Sequence, residues 1–225
     1  MTDFYSNYLS MIKSEKNNYS GAGFIFYEKN NLEFDFLLGL ENNPGEKINT
    51  LSIFGGHKDK KDKNSLYTAV REIFEELFNV HPNGLDIFVS QIQQKVDDYT
   101  IIEKVFVKGS NEVCYFADIS ILNMFIQHLM YHDGKWPFKN SSNKWSEYYN
   151  NIHMFINDRI LKNNQKVKDG LNEIKQIFLI KYKTIDYSIR NKIPIIINKK
   201  EYYLKANLSK YLQDSIIIDI LNKNL

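Results

Sequence analysis

The sequence predicts an α/β domain, and three features of the chain support this. Apolar runs of strand length recur on both sides of a glycine pair, Gly55 and Gly56. A segment with helical periodicity, residues 64–80, follows that pair. Helical spacing then returns in residues 121–169 and at the end of the chain. The prediction is one domain over residues 21–225, preceded by an N-terminal arm or short helix in residues 1–20.

Composition and charge limit the class of protein. The chain has 225 residues, 43% of them hydrophobic and 25% charged, as in soluble globular proteins. A formal net charge of +2 does not by itself indicate a nucleic-acid or membrane partner. Cys114 is the single cysteine, which excludes an internal disulfide, and its apolar surroundings predict a buried thiol. Because the first 20 residues lack an apolar core run and no stretch approaches 18 apolar residues, we expect an intracellular, cytoplasmic protein without a membrane partner.

Three strands are predicted in the N-terminal part of the chain. Residues 21–27 form a strand, followed by a turn in residues 28–31 with Asn-Asn at its tip. Residues 32–40 form the returning strand, because apolar and acidic residues alternate there. A third, short strand in residues 51–54 leads into the glycine pair.

Further strands and helices are predicted after residue 90. Residues 91–107 contain strand-like runs, and residues 103–108 pair with residues 112–120 as a hairpin. Residues 121–169 are predicted to be a helical insertion into the domain. Residues 171–180 resume as a strand, and residues 195–197 form another. A closing helix is predicted from apolar residues at every fourth position: Leu204, Leu208, Leu212, Ile216 and Ile220.

The helix predicted over residues 64–80 has two contrasting faces. Its apolar stripe has spacings of three and four and consists of Leu66, Ala69, Val70, Ile73 and Leu77. Glu72, Glu75 and Glu76 crowd a second face that we expect to be exposed to solvent, where like charges repel unless a cation lies among them. Such a group of hard oxygens suits Mg²⁺ or Mn²⁺. An acidic helix face that is merely solvated is the alternative.

The segment from Gly56 to Glu76 resembles the Nudix box, whose pattern is G-x5-E-x7-R-E-U-x-E-E-x-G-U with U an aliphatic residue. The matching residues, in type and order, are Gly56, Arg71, Glu72, Ile73, Glu75 and Glu76. Three features depart from the pattern. The loop is one residue longer, its glutamate position falls on Lys63, and the late glycine is Phe78, followed by Asn79 where the aliphatic residue belongs.

The departures from the box pattern lead to two predictions. The family's first loop glutamate braces the arginine, so we expect Asp62, or else Asp59, to pair with Arg71 in place of Lys63. Val80 can serve as the aliphatic residue one position late.

The resemblance implies a Nudix-type α/β/α sandwich with a mixed sheet. It implies a pyrophosphohydrolase that cleaves a nucleoside diphosphate linked to another group, with Mg²⁺ or Mn²⁺ held by Glu72, Glu75 and Glu76 and by the backbone carbonyl of Gly56. Arg71 would hold the carboxylates in place. An acidic residue outside the box often completes such a site or acts as the base. Glu173, just before a late strand, is our prediction for it, and Glu112 at the hairpin is the competing candidate.

The sequence is compatible with more than one substrate or partner. The loop Gly-Gly-x-x-Asp-Lys-Lys also resembles viral, poxvirus-like mRNA-decapping members of the family, so the partner is either a nucleotide-derived small molecule or capped RNA. Trp136, Trp145 and Tyr148 in the insertion could stack on a base or simply form core. A catalytically idle fold that binds nucleotide or regulates a partner is a further alternative.

A zinc site is a weaker hypothesis for the insertion. His128 and His132 are four residues apart and Asp133 follows, which is a metal-ligand spacing. Since the chain shows no second cluster of ligands, we interpret these residues as polar groups near a helix end.

Overall fold

The computed structural model describes residues 18–30, 33–41, 48–78, 80–81, 83–108, 110–132 and 174–212. Several predicted features lie outside these ranges: the N-terminal arm up to residue 17, the insertion after residue 132 with Trp136, Trp145 and Tyr148, the residues Asn79 and Glu173, and the closing helix after residue 212.

A mixed sheet of nine strands forms the centre of the described structure. Its strands are β1 (Gly21–Asn30), β2 (Glu33–Glu41), β3 (Thr50–Ser52), β4 (Phe54–His57), β5 (Ile101–Lys108), β6 (Ser110–Asp118), β7 (Ile174–Lys181), β8 (Ile195–Ile197) and β9 (Lys200–Leu204). The pairs β1–β6 and β3–β9 are parallel, and the other pairs are antiparallel. The predicted strands of the N-terminal half, the β5–β6 hairpin and β7 are confirmed.

The strands β3 and β4 form a wedge between β1 and β2. The pairing of β1 with β2 runs from the hairpin turn as far as Phe26 opposite Leu37. Beyond this point β4 pairs with the start of β1, and β3 pairs with the end of β2. Because β1 and β2 are paired with β6 and β7 on their other sides, the β3–β4 segment lies where the two strands diverge. The wedge carries Gly55 and Gly56 into the middle of the sheet.

Helices cover both faces of the sheet. They are α1 (Ser65–Glu72), which continues as one π-helical turn (Ile73–Leu77), α2 (Leu85–Asp97), α3 (Leu122–His132), α4 (Tyr182–Asn191) and α5 (Ala206–Leu212). Apolar residues of α1, α2 and α3 pack in one core with Phe24 and Phe26 of β1. Residues of α4 and α5 pack in a second core with Ile25, on the opposite face of the same strand. The fold is therefore an α/β/α sandwich.

Three details of the predicted element order are corrected. Residues 91–97 belong to α2, whose buried residues Leu85, Phe88, Val89 and Ile92 have helical spacing. The helix α4 and the strand β9 were not predicted. Leu204 ends β9 opposite Leu51 rather than starting the closing helix, which begins at Ala206.

Candidate active site

The wedge brings glycine backbones into contact that no larger residue permits. A Cβ atom on Gly23 would lie 2.5 Å from the carbonyl oxygen of Phe54, and one on Gly55 would lie 2.4 Å from the Cα of Gly23. Because Cβ atoms essentially never approach backbone this closely, the crossing of β1 and β4 requires glycine at both positions.

The same strand lies directly against the carboxylates of the helix. A Cβ atom on Gly56 would lie 2.4 Å from Oε1 of Glu72, so the carboxylate fills the space that a side chain would need. The backbone N–H of Gly55 donates to Oε2 of Glu76 at 2.7 Å. Glu72 is 8% exposed and Glu76 is 5% exposed. The expectation of a solvent-facing acidic patch is therefore wrong, because these two carboxylates are buried between the helix and the glycine strand.

Arg71 connects the acidic residues to one another. Its Nη1 lies 2.8 Å from Oε1 of Glu72 and 2.7 Å from Oε2 of Glu75. Its Nε and Nη2 donate to the two carboxylate oxygens of Asp62 at 3.1 and 3.0 Å. Nη2 also donates to the carbonyl oxygen of His57 at 3.0 Å. One guanidinium therefore fixes the loop and the helix together with a planar, forked set of donors.

The predicted pairing of Asp62 with Arg71 is confirmed. Asp62 is 7% exposed, and its Oδ2 also accepts hydrogen bonds from the hydroxyl of Thr68 at 2.7 Å and from the backbone N–H of Asp59 at 2.8 Å. Lys63 points away and pairs with Asp86, with both side chains more than 60% exposed. The extra loop residue thus lets the acid before Lys63 take the bracing position.

The hydrogen bonds to Asp62 also set its ionisation. Burial works to raise the pKa of this carboxyl, but hydrogen bonds from Arg71, the Asp59 backbone and Thr68 outweigh burial and hold the pKa below its ordinary value. Arg71 is also affected by burial, which opposes its charge, while Asp62, Glu72 and Glu75 raise its pKa. The pair is ionised at neutral pH.

A π-helical turn accounts for the departure at the end of the box. The N–H of Phe78 donates to the carbonyl of Ile73, five residues earlier, and the N–H of Val80 donates to the carbonyl of Phe74. The turn accommodates one additional residue, so Val80 packs against the core one position late, as predicted. Phe78 is fully buried and stacks on Phe125 with the ring centroids 6.2 Å apart.

The oxygen atoms of these carboxylates are of the type that binds a hard divalent cation. Among the described residues, no group of three or more His, Cys, Asp or Glu side chains is arranged to hold a metal ion. Arg71 contacts both Glu72 and Glu75, and Glu75 also lies 2.9 Å from Nδ1 of His81. Glu72 and Glu76 both lie beside the glycine backbone, and carboxylate oxygens are ligands that fit Mg²⁺ or Mn²⁺.

A cleft of about 860 Å³ opens beside this cluster. Its lining includes Gly55, Gly56 and Glu76, together with Glu112 and Tyr211. The hydroxyl of Tyr211, on α5, donates to Oε2 of Glu112, the competing candidate for the outlying acid. Glu173 lies outside the described residues, directly before Ile174, which begins β7 and lines the cleft.

Among the ionisable residues that line the cleft, Glu41, Lys205 and Tyr211 were not identified from the sequence. Lys205 and Glu41 form an ion pair between residues 164 positions apart in the chain. No local spacing could have revealed this contact, since only the folded sheet brings the end of β2 next to the start of α5.

Two further predictions concern His128 and Cys114. His128 is buried, its Nε2 lies 2.8 Å from the carbonyl oxygen of Asn83, and its ring lies 4.6 Å from that of Phe88. These contacts give it a packing role between α2 and α3, while Asp133 and the side chain of His132 lie outside the described structure. Cys114 is a buried thiol, as predicted. No described helix is both long and apolar enough to cross a membrane.

Comparisons with known proteins add three similar structures. The chain matches a C. elegans Ap4A hydrolase binary complex with 12% identity and a TM-score of 0.37, over 89% of this chain and 96% of that one. It matches the NUDIX domain of Shewanella oneidensis NrtR complexed with ADP ribose with 11% identity and a TM-score of 0.33, over 74% and 75%. A MutT/nudix family protein from Enterococcus faecalis matches with 16% identity and a TM-score of 0.29, over 44% and 36%.

No family model matches the sequence, and no curated protein matches it. Since all three TM-scores are below 0.5, the fold described above rests on the strand order and layers of this structure itself.

Proposed function

We propose that this protein is a Mg²⁺-dependent pyrophosphohydrolase acting on a nucleoside diphosphate linked to another group. One observation carries the proposal. The guanidinium of Arg71 contacts the carboxylates of Asp62, Glu72 and Glu75, and Glu76 is buried beside the glycine strand, so four carboxylates cluster in this part of the described structure. Buried like charges are costly unless cations neutralise them, and this cluster opens on a cleft.

Each residue has a distinct part in this proposal. Glu72 and Glu76, with the carbonyl of Gly56, would hold the metal, and Glu75 would join them by giving up its contact with His81. The metal, when bound, neutralises diphosphate oxygens and acidifies water. Arg71 holds the carboxylates against the loop, and the glycine backbones let the substrate approach.

The base is assigned by comparing two acids. Glu112 lines the cleft, where its carboxylate accepts the hydroxyl of Tyr211, and Glu173 directly precedes a residue that also lines the cleft. We propose Glu173 as the base and keep Glu112 as the alternative. Substituting each with glutamine separately, and measuring kcat against pH, identifies the base as the variant that loses the ascending limb of the profile.

Capped RNA is a second candidate substrate, favoured by the loop beside the site. Lys58, Lys60 and Lys61 are all exposed directly after His57 on the rim of the cleft. A basic loop next to the reacting groups attracts a polyanion more strongly than a small nucleotide. Comparing capped RNA of increasing length with a free cap analogue tests this, because RNA contacts with the lysines predict a kcat/KM that rises with length and falls with added salt.

Hydrolysis of a substrate panel tests the proposal as a whole. The panel contains a dinucleoside polyphosphate, a nucleoside diphosphate sugar and capped RNA, each with Mg²⁺, with Mn²⁺ and with EDTA. Glu76→Gln removes a charge at the site, and Glu201→Gln is a matched change on β9, outside the residues that line the cleft. Binding without turnover by the wild type under every metal condition would instead favour the idle, nucleotide-binding alternative.

A further inference from the structure

The lining of the cleft also includes a positive charge that is held in place. Lys205 is the one lysine or arginine among the described residues that line the cleft, where the acids are Glu41, Glu76 and Glu112. Its Nζ lies 2.5 Å from Oε1 of Glu41, and its backbone N–H donates to the carbonyl of Leu51 at 2.9 Å. Both the main chain and the ammonium group are therefore held in place.

Glu41 lies at an irregularity in the sheet. The register between β2 and β7 shifts there, because β7 has one extra residue, Lys175, between the partners of Leu40 and Glu41. The carboxylate of Glu41 is only 14% exposed, whereas Lys205 is 49% exposed. The acid is thus the inner member of the pair, and the ammonium group is accessible to a molecule in the cleft.

The ion pair leaves donors available to a ligand. An ammonium group has three N–H donors, and Glu41 takes one of them. A half-exposed lysine–glutamate pair contributes little to stability. The ion pair therefore adds little to the stability of the fold. Because Lys205 is a cation among the acids that line the cleft, its position favours the binding of an anion there.

We infer that Lys205 binds an anionic substituent of the substrate, a carboxylate or a phosphate, in addition to the diphosphate that is cleaved. This inference rests on the proposed function for the identity of the diphosphate. A cleft of about 860 Å³ lies at the upper end of ligand-pocket volumes, about 300–1,000 Å³, so it has room for a group beyond a single nucleotide. Substrates with a charged substituent are therefore preferred over otherwise identical neutral ones.

Two pairs of nucleotides test this by equilibrium binding with Mg²⁺. UDP-glucuronate and UDP-glucose differ by a carboxylate, and NADPH and NADH differ by a phosphate. The wild type is expected to bind the charged member of at least one pair about tenfold more tightly, as a hydrogen bond to a charged group provides. Lys205→Gln should reduce that preference to about one, whereas Glu41→Gln, which leaves the ammonium group in place, should retain or increase it.

Lys183→Gln is the matched control. Lys183 pairs with Glu33 at the other end of β2, and it does not line the cleft. Equal affinity of the wild type within both pairs, or a preference that survives in Lys205→Gln, overturns the inference.

The two hypotheses fail separately. Mg²⁺-dependent hydrolysis of UDP-glucose without any charge preference leaves the proposed function standing and removes the role of Lys205. A binding preference that depends on Lys205, without hydrolysis of any substrate, supports the role of Lys205 and contradicts the proposed function. No binding of any of the four compounds contradicts the inference, whatever the panel hydrolyses.

Discussion

At the residue scale, the site depends on a substitution of one acid for another. The box pattern requires a glutamate where this chain has Lys63, and a lysine has the wrong charge to brace an arginine. This conflict of charge is visible in the sequence, so the role of Asp62 could be predicted. The additional contacts of Asp62 with Thr68 and the Asp59 backbone could not, because they depend on how the longer loop folds back.

Removing Asp62 should lower stability and activity together. The side chain of Asp62 is fully buried, and breaking a buried ion pair costs about 3–5 kcal/mol. Arg71 keeps Glu72 and Glu75, so we expect Asp62→Ala to lie near the lower end of that range, a Tm loss of about 6–12 °C. Thermal unfolding and the hydrolysis rate check both effects. Lys63→Ala, the control, should change neither, and an equal loss in the two variants would contradict the bracing role.

The ionisation of Asp62 predicts a dependence of stability on pH. Because its pKa in the folded protein is below the ordinary value of 3.8, the charged form stabilises the fold above that value. This contribution is lost as the pH falls through the folded pKa. The difference in unfolding free energy between wild type and Asp62→Asn should therefore be full above about pH 5 and should shrink below about pH 4. Urea unfolding at a series of pH values measures it, and a constant difference would contradict the account.

At the element scale, the π-helical turn allows an atypical box to keep its carboxylates in place. Phe78, where the pattern has glycine, packs in the first core against Phe125. We expect Phe78→Ala to cost about 3–5 kcal/mol of stability through the cavity it leaves. For the milder substitution Phe78→Leu, the hydrolysis rate per folded molecule should stay within about twofold of the wild-type rate. A large rate loss in a folded Phe78→Leu protein would mean that the turn also positions the reacting groups.

The glycine wedge makes a prediction at the same scale. Gly56→Ala places a methyl group where the Glu72 carboxylate lies, so that carboxylate must move. A displacement of about 1 Å can cost about 10²-fold in rate, and we expect a loss of that order. Gly39→Ala is the comparison, because the nearest atoms to its methyl group belong to the apolar side chain of Ile174 and not to a carboxylate, and its rate should be much less affected. Similar rates in the two variants would show that Glu72 does not take part in the reaction.

At the scale of the whole molecule, the sequence predicted the parts of the fold that follow local patterns. Apolar runs of strand length identified β1 and β2, a turn between two such runs identified the β5–β6 hairpin, and helical spacing identified α1. The helices α2 and α4 were missed, although the buried residues of α2 do have helical spacing. The wedge and the pair Lys205–Glu41 were not predictable, because they depend on contacts between distant segments.

The central claim is that the buried carboxylates hold a catalytic metal. Hydrolysis of a dinucleoside polyphosphate by wild type, Glu75→Gln and Glu76→Gln, with Mg²⁺ and with EDTA, tests it most directly. We expect turnover that needs the metal, and a rate lower by about 10²-fold or more in each variant with the melting temperature nearly unchanged. Turnover that survives complete chelation, or near-normal rates in both variants, would contradict the claim.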